Sequence, residues 1–293
     1  SSMAVDGIVN YGIGDWCAPF DGPAISVNMS TFKAPVALTD TACYYRSARM
    51  LSKMSRVLGL DEPYLARSEE IRAALLRNFV DADTGEVVGA CQTSDGCVAF
   101  HHLLKPQEEA RLMERLAERI AQNGWHIDYG ILGSKYVLNM LGEYGRTDVI
   151  YKMLTREDYP GYLYWVAHGC TTLAECWNLG GSHNHYMFSD VSAVFYRYFA
   201  GIRPDGDIPA YRSFLLAPAL DLAIDTLSCS VESPHGTIFA GWKKDGDTVT
   251  FTAGVPFGTT ARLRLPAGVQ APENGAVLDG GRLLCTGSPA EVG

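Results

Sequence analysis

The spacing of apolar residues changes character once along this chain, and that change limits the folds open to it. Over residues 35–202 apolar positions recur at helical intervals; farther on they recur at every second position. Pro35 is placed to open a helix running to about residue 58, with Tyr44, Ala48, Leu51 and Leu58 on one face and Gly59 as its stop. A second helix is expected over residues 63–79, with Ile71, Leu75 and Phe79 in line. Pro106 opens another, in which Leu112, Leu116 and Ile120 line one side while Glu114, Arg115, Glu118 and Arg119 make a solvated face. Shorter helical patterns fall near residues 131–141, 148–154 and 189–198.

The segment 203–207, Arg-Pro-Asp-Gly-Asp, reads as a turn-rich linker. Beyond it Val249, Phe251, Ala253 and Val255 alternate with other residues, as do Ala261, Leu263 and Leu265, and Lys244-Asp245-Gly246 supplies a hairpin turn. The expectation is a mainly α domain over residues 1–202 followed by a small antiparallel β domain over residues 203–293.

At 293 residues the chain is long enough for one large domain and a small one. Its formal net charge of -9 argues against nucleic acid and against an anionic membrane surface as partners, since both favour basic patches. No apolar run approaches the ~18 residues of a membrane span. The first residues, Ser-Ser-Met-Ala-Val-Asp, show neither the basic nor the apolar region of a signal peptide, so a cytoplasmic location is expected. Eight cysteines are scattered without a CxxC pair, so free thiols are expected and zinc chemistry is not; no metal and no cofactor is expected at all.

The densest chemistry lies in Gly169-Cys170-Thr171-Thr172-Leu173-Ala174-Glu175-Cys176-Trp177-Asn178, followed by Ser182-His183-Asn184-His185-Tyr186. A carboxylate that activates water needs donors to hold it, and an indole face suits the apolar side of a sugar ring. Spacing alone leaves the alternative that Glu175 is a surface or capping charge.

The whole run resembles the end of the catalytic domain of bacterial α-L-rhamnosidases, whose pattern here is approximately G-A-T-T-[IL]-W-E-x-W-[DN], then S-x-N-H-Y, then a helix closing on YRYxAGI. This chain has Tyr196-Arg197-Tyr198-Phe199-Ala200-Gly201-Ile202 at that last place. Further matches are Tyr11-Gly12-Ile13-Gly14-Asp15-Trp16, His126-Ile127-Asp128-Tyr129-Gly130-Ile131-Leu132-Gly133 and Leu141-Gly142-Glu143-Tyr144-Gly145. The resemblance implies an (α/α)₆ toroid of the six-hairpin glycosidase kind, with a β-sandwich behind it. It implies inverting hydrolysis of terminal α-L-rhamnosides, with Glu175 as general base. Asp15, Trp16, His126, Trp177 and His185 are then the substrate-binding residues, and a rhamnose-containing glycoside is the partner. For Asp15 and Trp16 the alternative is a loop aspartate beside a core tryptophan; for His185 it is a satisfied core histidine.

Four departures accompany the match. The position before Glu175, a large aromatic in the pattern, is Ala174, and the position after it, often Arg, is Cys176. The family's acidic segment, approximately D-x-x-x-R-x-E-x-x-G-W-x-G-D, is absent, so the general acid is expected outside this chain. A toroid of this kind takes twelve helices against about seven helical patterns, which predicts a partial barrel with an uncovered edge near Tyr44 to Leu58, open to self-association. The alternative readings are a sugar-binding or structural remnant without turnover, and another (α/α)-barrel hydrolase or lyase.

Overall fold

The computed structural model describes residues 4–19, 33–60, 63–266, 269–270 and 277–287, with side chains up to residue 266. Two compact units are resolved, Ser1–Asp190 and Val191–Gly293. The first opens with a short antiparallel pair, β1 (Ala4–Val5) and β2 (Ile8–Val9). Among the described residues seven helices follow within it: α1 (Val36–Val57), α2 (Tyr64–Phe79), α3 (Gln92–Phe100), α4 (Pro106–Gln122), α5 (Ile131–Glu143), α6 (Thr147–Leu154) and α7 (Tyr162–Ala167).

The expected faces hold for α2 and α4. Ile71, Leu75 and Phe79 are buried, as are Leu112, Leu116 and Ile120, and Glu108 accepts the Lys105 backbone N–H at 3.1 Å to cap the start of α4. In α1 the expected face holds only in part, with Ala48 buried and Tyr44 half-buried. Its buried stripe is Leu38, Ala42, Tyr45, Ala48, Ser52 and Ser55, whereas Leu51 and Leu58 are 44% and 70% exposed. Small residues at Ala42, Ala48, Ser52 and Ser55 let α1 approach its neighbours closely, and Leu51 and Leu58 are left facing outward.

Helix α3 was not visible in the periodicity, because Gln-Thr-Ser-Asp-Gly opens it with polar residues. Tertiary partners satisfy them. Thr93 donates to Asp15, Arg119 Nε donates to Asp95 at 3.0 Å, and the Gln92 side-chain amide donates to the His126 carbonyl at 2.8 Å. Gly96 allows α3 to lie against α5, since a Cβ there would come within 2.9 Å of Val137.

A short helix, α8 (Asp190–Val194), leads into a π-helical turn, Phe195–Phe199, so the helix expected over residues 189–198 changes its winding halfway. The Ala200 N–H reaches back five residues to the Phe195 carbonyl at 2.8 Å. The second unit is built on one seven-stranded sheet: β3 (Ile202–Pro204), β4 (Ser213–Leu216), β5 (Thr226–Ser233), β6 (Gly236–Asp245), β7 (Thr248–Leu263), β8 (Val269–Gln270) and β9 (Val277–Gly287). Arg203 and Pro204, expected in the linker, already pair with β4.

The long strand β7 organises the sheet. Its first half pairs antiparallel with β6, its second half pairs parallel with β4, and β9 runs antiparallel beside both halves with a register shift between Val255 and Thr260. The β domain is therefore mixed rather than wholly antiparallel, because the β5–β6 hairpin intervenes between β4 and β7 and returns the chain in the same direction. The period-two reading is borne out: Val249, Phe251, Ala253, Val255, Ala261, Leu263 and Leu265 are all buried.

Candidate active site

Glu175 lies on the loop that leaves α7, where two stretches of chain are pinned side by side. The Glu175 N–H donates to the Ser182 carbonyl at 2.8 Å, and the His185 N–H donates to the Leu173 carbonyl at 2.9 Å. Thr172 Oγ1 adds a bond to the His183 carbonyl. This doubled loop holds the Glu175 carboxylate in place: the Ser182 N–H donates to Oε2 at 2.8 Å, and His185 Nδ1 stands 3.6 Å from the same oxygen. The side chains of Glu175 and His185 keep 17% and 28% of their exposure, so the carboxylate is sheltered yet reachable. A carboxylate oriented by a backbone N–H, with a histidine within ion-pair reach, is suited to taking a proton from water.

Trp177 does something other than present its face to solvent. It is 1% exposed, stacks on Trp165 at 4.6 Å between centroids, and packs against Phe188, Tyr162 and Tyr129. Its indole N–H donates to the Tyr129 carbonyl at 2.9 Å, while the Trp165 indole N–H donates to the Trp177 carbonyl at 3.0 Å. Trp177 is thus the brace behind Glu175, tying its loop to α7 and to the segment before α5.

Asp15 is equally internal. It is 0% exposed, and its Oδ1 accepts the Leu132 and Gly133 N–H groups at 2.9 Å each. Oδ2 accepts from Gly130 N–H at 2.8 Å and from Thr93 Oγ1 at 2.5 Å. A negative group on the unpaired N–H groups of a helix start is favourable by hydrogen bonding and by the helix dipole. Burial nevertheless pushes this carboxyl above the ordinary aspartate range, against the four donors that favour its ionised form. Gly130 is required by the docking, since a Cβ there would meet the Trp16 carbonyl at 2.2 Å. Asp15 therefore seats the Asp-Trp turn on α5 and offers no surface to a ligand in this structure.

Trp16 differs from its neighbours. It is half-buried between buried Asp15 and buried Cys17, and its carbonyl accepts the Ile131 N–H at 2.8 Å. Cys17 in turn meets Cys176 with the two sulfurs 3.4 Å apart. The structure so brings the Asp15–Trp16 turn beside the Glu175 loop, across 159 residues of chain.

His126 faces another set of partners. Its Nε2 lies 2.9 Å from Asp158 and its Nδ1 2.8 Å from the Asn123 carbonyl, so both ring nitrogens are engaged. Arg156 and His126 together hold the Asp158 carboxyl down at about 2. Sequence reasoning missed Ser182, whose N–H orients Glu175, and Gly181, whose positive φ of 75° turns the chain there; the Gly-Gly step at 180–181 was the available signal.

With this geometry in view, comparison with known proteins is consistent along the chain. The family described as bacterial alpha-L-rhamnosidase 6 hairpin glycosidase domain matches residues 2–199, and the one described as bacterial alpha-L-rhamnosidase C-terminal domain matches residues 201–276. An alpha-L-rhamnosidase from Alteromonas sp. (strain LOR) is 27% identical over 272 residues, covering 87% of this chain and 29% of that protein. One from Streptomyces avermitilis is 29% identical over 261 residues, covering 85% of this chain and 25% of that protein. A crystal structure of Streptomyces avermitilis alpha-L-rhamnosidase complexed with L-rhamnose has a TM-score of 0.84 at 26% identity, covering 97% of this chain and 29% of that one. The chain thus spans well under a third of the length of these relatives.

Proposed function

The chain belongs to the bacterial α-L-rhamnosidase six-hairpin glycosidase family, and from that premise we propose that it carries the general-base half of a site hydrolysing terminal α-L-rhamnosides with inversion. Glu175 is the base. The observation that carries the reading is its carboxylate, sheltered but open, held by the Ser182 N–H at 2.8 Å and faced by His185. In inversion the base deprotonates a water on one face of the ring while an acid about 6.5–9.5 Å away protonates the leaving oxygen.

Trp16 and His185 are the proposed sugar contacts, the first through its ring face and the second through a ring nitrogen. Asp15 and Trp177 act as positioning residues, seating the turn and the loop that bear them. No sugar contact is assigned to His126, whose ring nitrogens are engaged. The acid is proposed to come from outside these 293 residues, on the ground that nothing in the sequence resembles the family's acidic segment. A reducing, cytoplasmic setting is proposed from the eight cysteines without paired spacing.

The experiment exploits leaving-group chemistry. Fluoride departs without protonation, so α-L-rhamnosyl fluoride needs the base but no acid. The chain is expected to release β-L-rhamnose first from the fluoride, to lose that turnover by roughly 10²-fold or more in Glu175→Gln, and to leave an aryl α-L-rhamnoside almost untouched. Equal fluoride turnover in Glu175→Gln, or an α-configured first product, overturns the assignment of Glu175. Robust aryl rhamnoside hydrolysis overturns the external acid. Binding of L-rhamnose with no fluoride turnover favours the binding-module reading instead.

A further inference from the structure

The position after Glu175 holds a cysteine, and the structure gives that cysteine a partner. Cys176 Sγ lies 3.4 Å from Cys17 Sγ, with both residues buried at 8% and 4% exposure. Cys17 sits at φ 60°, a left-handed conformation that residues with side chains rarely adopt. Two separate segments thus point their thiols at one another, one following Trp16 and the other following Glu175. We propose that Cys17 and Cys176 form a redox-active dithiol that hydrogen peroxide converts to a disulfide, clamping the Asp15–Trp16 turn onto the Glu175 loop.

The sulfurs need to close from 3.4 Å to about 2.05 Å, a movement of side-chain size. The remaining requirement is a thiolate. With Cys17 donating its S–H, the Cys176 thiol is held below the ordinary thiol range, although burial and the Glu175 charge oppose this. The same contact, with burial, pushes Cys17 up; with that donor the nucleophile is Cys176 and the resolving thiol is Cys17, and the exchanged roles give the same disulfide.

The chemistry balances with peroxide as the oxidant. The Cys176 thiolate attacks one peroxide oxygen, the O–O bond breaks, and the departing hydroxide leaves as water after taking a proton, giving a sulfenic acid. Cys17 sulfur then attacks the Cys176 sulfur; the S–S bond forms, the S–O bond breaks, and a second water leaves with the Cys17 proton. Two thiols and one peroxide give one disulfide and two waters. A small oxidant is needed because both sulfurs are buried, next in sequence to the Glu175 side chain, which is 17% exposed. A bond closing so long a stretch of chain removes much of the freedom of the unfolded state.

The test is made on the purified chain, independently of any glycosidase activity. Trypsin releases Cys17 on the peptide ending at Lys33 and Cys176 on residues 157–197. After peroxide treatment and thiol blocking, mass spectrometry is expected to find these two peptides joined, about 2 Da lighter than their sum, with fragmentation placing the bond at Cys176 rather than Cys170. Dithiothreitol should separate them, and the oxidised chain should melt roughly 10 °C higher than the reduced one. Cys17→Ser abolishes the joined species if it folds; the unsubstituted chain decides the matter either way. Sulfinic acid at Cys176 without cross-linking, a bond to Cys170, or two intact thiols while exposed Cys43 oxidises each overturns the proposal.

Discussion

Gly181 is fitted to Glu175: its φ is +75°, and a Cβ built on it would come within 2.5 Å of Glu175 Oε2. The glycine therefore makes room for the carboxylate as well as supplying the turn that brings the Ser182 N–H onto it. Gly181→Ala is expected to lower turnover of α-L-rhamnosyl fluoride by at least ~10-fold, because the carboxylate must swing away from its donor. Gly169 makes the control. It has φ +85° and nothing within 4 Å of a built Cβ. Gly169→Ala should share the backbone cost of about 1–2 kcal/mol while keeping the fluoride activity. Equal loss in both variants would show the effect to be backbone strain alone.

Asp15→Ala should destabilise the chain by roughly 2–5 kcal/mol in urea or thermal unfolding. The truncation leaves Thr93, Gly130, Leu132 and Gly133 with buried donors and no acceptor. A change within ~0.5 kcal/mol, the size normal for a surface site, would contradict the anchoring role.

His101 is buried, and neither ring nitrogen has a hydrogen-bond partner; its ring packs edge-on against Phe100 and Tyr136. Burial, with Arg46 and His102 nearby, lowers its pKa to about 3. The unfolded chain binds that proton more readily, so the neutral ring's contribution is complete above the ordinary value of 6.5 and is lost as pH falls towards 3. Asp95 acts in the opposite sense: burial raises it to about 6, so its contribution falls as pH rises between 3.8 and 6. The informative quantity is then variant minus parent. His101→Phe is expected to gain about 1 kcal/mol at pH 7 and a growing margin on acidification. A difference that stays flat with pH would refute the assignment.

The outward face of α1 carries Met50, Leu51, Met54, Val57 and Leu58, exposed by 48%, 44%, 54%, 86% and 70%. Contiguous apolar patches are uncommon on soluble monomers, so light scattering is expected to show mass rising with concentration. The double change Met54→Glu with Val57→Lys should return a monomer. A constant monomer mass in the parent would rule out association through α1.

The residues differ in how legible they were. Helices α2 and α4 could be read because one apolar stripe on a polar helix already states which side is inside. The strand β7 was legible for the corresponding reason at period two. Helix α1 was helical as expected, but its buried stripe is turned part-way from the expected face: Ala48 is buried and Tyr44 half-buried, while Leu51 and Leu58 face outward. Helix α3 escaped notice because its polar residues are satisfied by partners remote in sequence, among them Asp15 and Arg119.

The candidate site divides along the same line. The sequence alone determined the chain's family, the change from helices to strands along it, and Glu175 as the residue to suspect, since these follow from local periodicity and from an ordered set of motifs. Only the tertiary structure decided which motif residues face outward. It turned Asp15 and Trp177 inward as anchors, left Trp16 and His185 partly open, engaged His126 with Asp158, and set Cys17 against Cys176. The physical reason is that a buried polar or aromatic group is defined by partners far along the chain, and no local spacing records which donors will surround it once the chain has folded.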